Sequence, residues 1–165
     1  MINKLIVVLL CSLAMSLAGC AHIHKGEVLQ KISGLPIQPG DTIENVKAAL
    51  DTDIEPEAYD DSALQGKNKQ LRLKTKGIWV FFDQSGRAYT IRLDEPFAGN
   101  VAGVEIGKSR AFLVEKLGKP TKIIERMPTL NNRSKPYSYH IGDNTKARFN
   151  FGDDDEIINI FITKR

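Results

Sequence analysis

The chain has 165 residues, with 23 lysines and arginines against 20 aspartates and glutamates, a formal charge of +3 at pH 7. So mild an excess excludes the strongly basic surface that nucleic-acid binding needs, and the length suits one domain or two small units sharing a core. The two cysteines, Cys11 and Cys20, both lie near the start, which leaves the rest without a thiol for a disulfide, a thiolate metal site or a nucleophile.

Residues 1–19 read as a signal peptide. Lys4 gives a basic start, and the apolar run from Leu5 to Ala18 is shorter than the about 20 residues that span a bilayer as a helix. The run ends in Leu17-Ala18-Gly19-Cys20, which resembles the lipobox of bacterial lipoproteins. The resemblance implies that Cys20 becomes the N-terminus and carries fatty acids such as palmitate. Residue 21 is Ala, not the Asp that holds enterobacterial lipoproteins at the inner membrane. The implied location is therefore the outer membrane, on its periplasmic face, with the membrane engaged through lipid on Cys20. Residues 20–33 form a tether. His22 and His24 have a spacing that can chelate a metal, but no acid or third ligand stands near, so they read as tether residues.

The first structured element is PGDTIENVKAAL (39–50), in which Ile43, Val46 and Leu50 fall on one helical face. DTDIEPEAYDD (51–61) tests badly as a calcium loop: Pro56 stands where glycine is demanded and Ser62 where glutamate is. It reads as a solvated loop. KQLRLKT (69–75) alternates Leu71, Leu73 and Thr75 with Arg72, Lys74 and Lys76, a strand with cations on one face. Such a row suits an edge strand that avoids strangers, or contact with headgroups, a glycan carboxylate or an acidic partner. GIWVFFDQSGRAYTIRL (77–93) is a hairpin turning at Asp83–Gly86.

IGKSRAFLVEKLGKP (106–120) restates the earlier helix phrase with stronger punctuation. Ser109 is a natural N-cap, Phe112, Leu113 and Leu117 follow at helical spacing, Gly118 suits the left-handed position after the helix, and Pro120 prevents continuation. TKIIERM (121–127) and PYSYHI (136–141) are candidate strands. ARFNFGDDDEIINIFI (147–162) is a second hairpin around Gly152–Asp155, an acidic turn facing water. His140 ends a strand, at the surface or as a cap.

These elements predict an α+β fold of two tandem repeats, residues 34–98 and 99–165, each a short helix packed on a three- to four-stranded antiparallel sheet. Gly40 aligns with Gly107, Thr42 with Ser109, Val46 with Leu113 and Leu50 with Leu117. Aligning Trp79 and Phe81 with Phe149 and Phe151 makes these four the core face. Ile78, Val80 and Phe82 then lie opposite, either under the second unit or as an apolar patch awaiting a partner. A patch predicts that Val80→Asp leaves the fold intact and abolishes capture of a partner; a core position predicts unfolding. Arg72, Lys74, Lys76, Ile78, Val80 and Phe82 are thus the candidate binding surface.

The Gly107–Pro120 pattern, G-x-S…L…L-G-x-P, resembles the helix signature of the SmpA/OmlA family of outer-membrane lipoproteins. The doubled helix-plus-sheet unit is similar to the β-lactamase-inhibitor-protein fold. These resemblances imply a protein-binding lipoprotein without enzymatic activity. No G-x-S-x-G, H-E-x-x-H, P-loop or dinucleotide fingerprint occurs, and no catalytic residue, metal ligand or cofactor is expected. A scaffold or adaptor in the cell envelope is the first expectation. An inhibitor or immunity protein that blocks an envelope enzyme, through loop tips such as Tyr59 or residues 153–156, is the alternative.

Overall fold

In both helices a hydroxyl residue sets the start. The Thr42 Oγ1 accepts from the Asn45 N–H at 3.3 Å and opens α1 (Ile43–Ala49). The Ser109 Oγ accepts from the Phe112 N–H at 3.2 Å and opens α2 (Arg110–Leu117). Val46 and Leu50 are buried from the first helix and its end, and Leu113 from the second. Phe112, expected on the buried face, lies outward under the Lys108 ammonium. Gly118 ends α2 at φ 75°, ψ −159°, not in the left-handed helical region but in one equally closed to residues with a side chain.

The computed structural model describes residues 32–59, 68–125 and 135–164. The lipobox residues Leu17–Cys20, together with His22 and His24, lie outside them. Ten strands are described: β1 (Ile32–Ser33), β2 (Glu57–Tyr59), β3 (Asn68–Leu73), β4 (Ile78–Phe82), β5 (Ala88–Asp94), β6 (Asn100–Val101), β7 (Lys122–Ile123), β8 (Tyr137–Gly142), β9 (Thr145–Phe151) and β10 (Ile157–Lys164). β1 and β6 form a two-stranded ribbon. The other eight form one antiparallel sheet in the order β2-β3-β4-β5-β10-β9-β8-β7.

That sheet overturns the expected pair of tandem units, each a helix on its own three- to four-stranded sheet. β5 and β10 hydrogen-bond to one another from Thr90–Thr163 through Asp94–Asn159, so the two strand sets join edge to edge. Left apart, each would expose a row of unpaired N–H and C=O groups beside apolar side chains; joined, both rows are satisfied. Ile91 and Leu93 then register with Ile162 and Ile160, and a single apolar cluster runs across the seam. Helices of 7 and 8 residues, each burying one side chain fully, are a minor part of a mainly β structure.

The recurring phrase has a local cause. Ahead of α1, the Gly40 N–H donates to Ala88, the Ala88 N–H to Asp41 and the Ile43 N–H to Gly86; ahead of α2, the Gly107 N–H donates to Ile157, the Ile157 N–H to Lys108 and the Arg110 N–H to Asp155. The phrase thus encodes a latch between a helix head and a hairpin turn, used twice on one sheet.

In the first hairpin the faces are also exchanged relative to expectation, whereas Phe149 and Phe151 lie in the core as expected. Phe149 registers with Ile160, Ile160 with Leu93 and Leu93 with Ile78, so Phe149 shares a face with Ile78 and Val80. Arg148 is the residue that shares a face with Trp79. A one-residue slip in the alignment moves every side chain to the other side. Ile78, Val80 and Phe82 therefore carry the core, Val80 at 0% exposure, with the buried residues of both helices in the same cluster. Trp79 and Phe81 lie on the other face, Trp79 half-buried and Phe81 covered there by Tyr59 and Tyr89.

β3 is not an edge, because β2 pairs with it from Glu57–Gln70 to Tyr59–Asn68. It also stops at Leu73. Lys74–Lys76 form a 3₁₀ turn closed by Gly77 at φ 65°, where a side chain would strike the Asp94 carbonyl. The expected row of three cations on one strand face is therefore broken after Arg72.

Candidate functional site

Alternation puts one residue of every pair on the face that the helices do not cover. In β3 these are Asn68, Gln70 and Arg72; in β4, Trp79 and Phe81; in β5, Thr90, Arg92 and Asp94. From the other strands come Asn159, Phe161 and Thr163 in β10, Lys146, Arg148 and Asn150 in β9, and Ser138 and His140 in β8. Register then aligns them in rows. The central row reads Arg72, Trp79, Arg92, Phe161, Arg148 across five strands, each paired directly with the next.

The row is a stack of guanidinium groups on rings. Arg72 and Arg92 lie 4.6 and 4.7 Å from the Trp79 ring centroid, on its two strand neighbours. Arg92 is also 5.6 Å from the Phe161 ring, and Arg148 lies 4.1 Å from it on the other side. Such contacts contribute about 0.5–1 kcal/mol at exposed sites and more where water is excluded. Carboxylates balance two of the arginines. Arg92 donates Nε and Nη2 to Asp94 Oδ1 at 3.0 and 2.9 Å, and Arg72 Nε lies 3.2 Å from Glu57 Oε1, close enough for an ion pair but without hydrogen-bond alignment. No ion pair is formed by Arg148 among the described residues. Burial, and then the positive charge of Arg92, lower its proton affinity below that of an ordinary arginine.

Beside this row lies a groove of about 340 Å³. Tyr59, Phe81, Tyr89 and Phe161 supply its aromatic wall, and Thr90, Thr163, Ser138, Lys146 and Arg148 its polar side. Tyr59 meets Phe81 edge-on at 5.2 Å, and Phe81 meets Tyr89 at 6.4 Å. Tyr89 reaches the groove because the pairing shifts between Phe81 and Phe82, which places an extra β5 residue there. Among the described residues, the buried side-chain polar atoms without a hydrogen-bond partner belong to Asn68, Gln70, Arg72, Asp94, Arg148 and Asn150. All six residues are on this face. A buried unpaired polar group costs about 1–3 kcal/mol, so a face that collects them is suited to a ligand that supplies partners.

The residues expected to form a binding surface are dispersed. Arg72 belongs to the open row. Lys74 and Lys76 are exposed in the 3₁₀ turn, with Lys76 donating to the Leu50 carbonyl. Val80 and Phe82 are fully buried and Ile78 nearly so. Ile78 and Lys76 border a second hollow of about 450 Å³ beside Leu50 and Phe97. His140 is exposed on β8, opposite Lys146. No three His, Cys, Asp or Glu residues gather as a metal site among the described residues, and none of their helices is long and apolar enough to cross a membrane.

Arg92, Phe161 and Arg148 escaped sequence reasoning. Their signal is present in RLD, NIFI and ARFNF, where a large or charged residue recurs at the outward positions, but it becomes legible only in the correct register.

No family model matches the chain, and no curated protein matches it. The fold is similar to the crystal structure of a DUF4309 family protein, YjgB, from Bacillus subtilis subsp. subtilis str. 168. The TM-score is 0.52 and the identity 16%, over 79% of this chain and 82% of that one. At that identity the likeness is one of fold.

Proposed function

We propose that the chain is a lipoprotein of the outer membrane, anchored through Cys20 and facing the periplasm, that binds a protein partner on the open face of its sheet. It acts as a scaffold or adaptor in the envelope and not as an enzyme. The observation that carries the binding role is the row Arg72–Trp79–Arg92–Phe161–Arg148, five strands wide. Aromatic and arginine side chains are the types that dominate protein interfaces, because each covers a large area and keeps a polar end. The anchor rests on the lipobox resemblance of Leu17–Cys20, and the non-enzymatic role on the likeness of Gly107–Pro120 to the SmpA/OmlA helix signature. The adaptor reading is favoured over the inhibitor reading because Asp155, one of the acids expected to enter a target, is already engaged by Arg110.

The test is a photo-crosslinking side chain at Trp79 in intact cells, with one at Glu115 on the exposed side of α2 as control. The reading expects one envelope protein joined at Trp79 and absent at Glu115. Crosslinks that are missing at Trp79, or equal at both positions, refute it. Fatty-acid labelling that survives Cys20→Ser refutes the anchor.

A further inference from the structure

Of the three arginines in the row, Arg72 faces Glu57 and Arg92 is held by Asp94, while Arg148 has no carboxylate among the described residues. Its Nε is buried without a hydrogen-bond partner, and its guanidinium lies on the Phe161 ring at 4.1 Å. The groove next to it is also lined by Lys146 and by the hydroxyls of Thr90, Thr163 and Ser138, and no acid is among the described residues of its lining.

We infer that this groove receives an acidic side chain of the protein partner, an aspartate or glutamate flanked by apolar residues, whose carboxylate pairs with Arg148. The inference rests on the reading that the open face binds protein, and it names the chemistry of what enters. Arginine stacked on a ring keeps its N–H donors in the plane of the fork, where a carboxylate can take two of them. Burial and the charge of Arg92 both disfavour the cation at Arg148, and an arriving anion offsets both. The aromatic wall continues past the cations along Tyr59, Phe81 and Tyr89. A bare inorganic anion leaves that wall in water, whereas the apolar neighbours of an acidic residue cover it.

The experiment probes an array of short peptides with the full-length lipoprotein in detergent. Each peptide carries a central Asp, Glu, Asn or Gln between varied apolar flanks. Peptides with the acid should bind at least about tenfold more tightly than their amide counterparts, and binding should weaken as salt rises. Arg148→Gln should lose that margin while the melting curve stays cooperative. Arg148→Lys, which keeps the charge and loses the fork, should retain part of it; if the glutamine variant does not fold, the lysine variant decides by the same comparison. Acid-independent binding, or an unchanged margin in these variants, overturns the inference. So does a groove that takes polygalacturonate or inorganic phosphate while every peptide is silent. Crosslinks at Trp79 that persist with Arg148→Gln binding unchanged sink this inference alone, and their absence in the wild type sinks the reading beneath it.

Discussion

The Tyr139 hydroxyl donates to the Gly118 carbonyl at 3.0 Å, which fastens strand β8 to the end of α2. Tyr139→Phe keeps the ring on Phe149, 5.8 Å between centroids, and removes only this bond. The expected cost is about 1 kcal/mol, a fall of about 2–4 °C in melting temperature for a chain of this size. Burial, and then the nearby Tyr137, raise the Tyr139 pKa above its ordinary 10.0. A raised folded value means that the stability linked to this phenol is complete below the unfolded pKa and is lost as pH rises through the folded one. Thermal melts above pH 10 should therefore show an alkaline decline that is shallower in Tyr139→Phe.

Arg110 covers two rings and holds a turn. Its guanidinium lies 3.9 Å from the Phe151 centroid and 4.7 Å from that of Tyr137, and it donates to Asp155 Oδ1 and to the Lys135 carbonyl. Arg110→Ala should cost about 1–3 kcal/mol through lost stacking and lost bonds together. Arg110→Lys should restore less than half, because an ammonium cannot stack flat while bonding in two directions. Denaturant titrations of the two variants check both values.

Asp83 organises the β4–β5 turn. One oxygen, Oδ1, accepts from the Ser85 N–H, the Ser85 hydroxyl and the Arg87 N–H at 2.9, 2.6 and 3.0 Å. Partial desolvation raises its pKa, but the bonds from Ser85 and Arg87 outweigh it, so the net shift is below 3.8. The sign is the reverse of the tyrosine case. Stability from Asp83 is complete above pH 3.8 and is lost as pH falls through the lower folded value. Asp83→Asn should flatten this acid limb, as measured by the unfolding midpoint across pH 2–6. A limb unchanged in the variant rules Asp83 out as its source.

Val80 and Lys74 separate core from surface among the residues first expected to bind. Val80 is fully buried, so Val80→Asp places a carboxylate among aliphatic side chains and should unfold the protein, at a cost above about 3 kcal/mol. Lys74→Glu, in the exposed turn, should shift stability by no more than about 0.5 kcal/mol. Circular dichroism melts distinguish the two outcomes.

Punctuation was legible in the sequence; register was not. Thr42, Ser109 and Gly118 announce both helices because a cap is a local event between near neighbours. The hairpins at Asp83–Gly86 and Gly152–Asp155 are legible for the same reason. Pairing of β5 with β10 is not, since nothing in AYTIRLD names INIFITK as its neighbour and both alternate well enough to edge a sheet of their own. The binding face fell with it. As large apolar residues in an alternating run Trp79 and Phe81 read as inward, whereas the cross-strand neighbours Arg72 and Arg92 make Trp79 part of a cation–π stack. The role of Asp155 beyond its turn was equally hidden, because Arg110 is distant in sequence and nothing local points to it.

The β5–β10 seam makes each half of the chain the guardian of the other. A proteolytic cut in the 102–108 connection followed by separation would bare Ile91 and Leu93 on one fragment and Ile160 and Ile162 on the other, each along an unzipped margin. Both fragments would then be inclined to pair with copies of themselves, as unprotected strands do. A chain of which only the first half is free to fold is such a fragment, and its margin stays open until the last strand arrives.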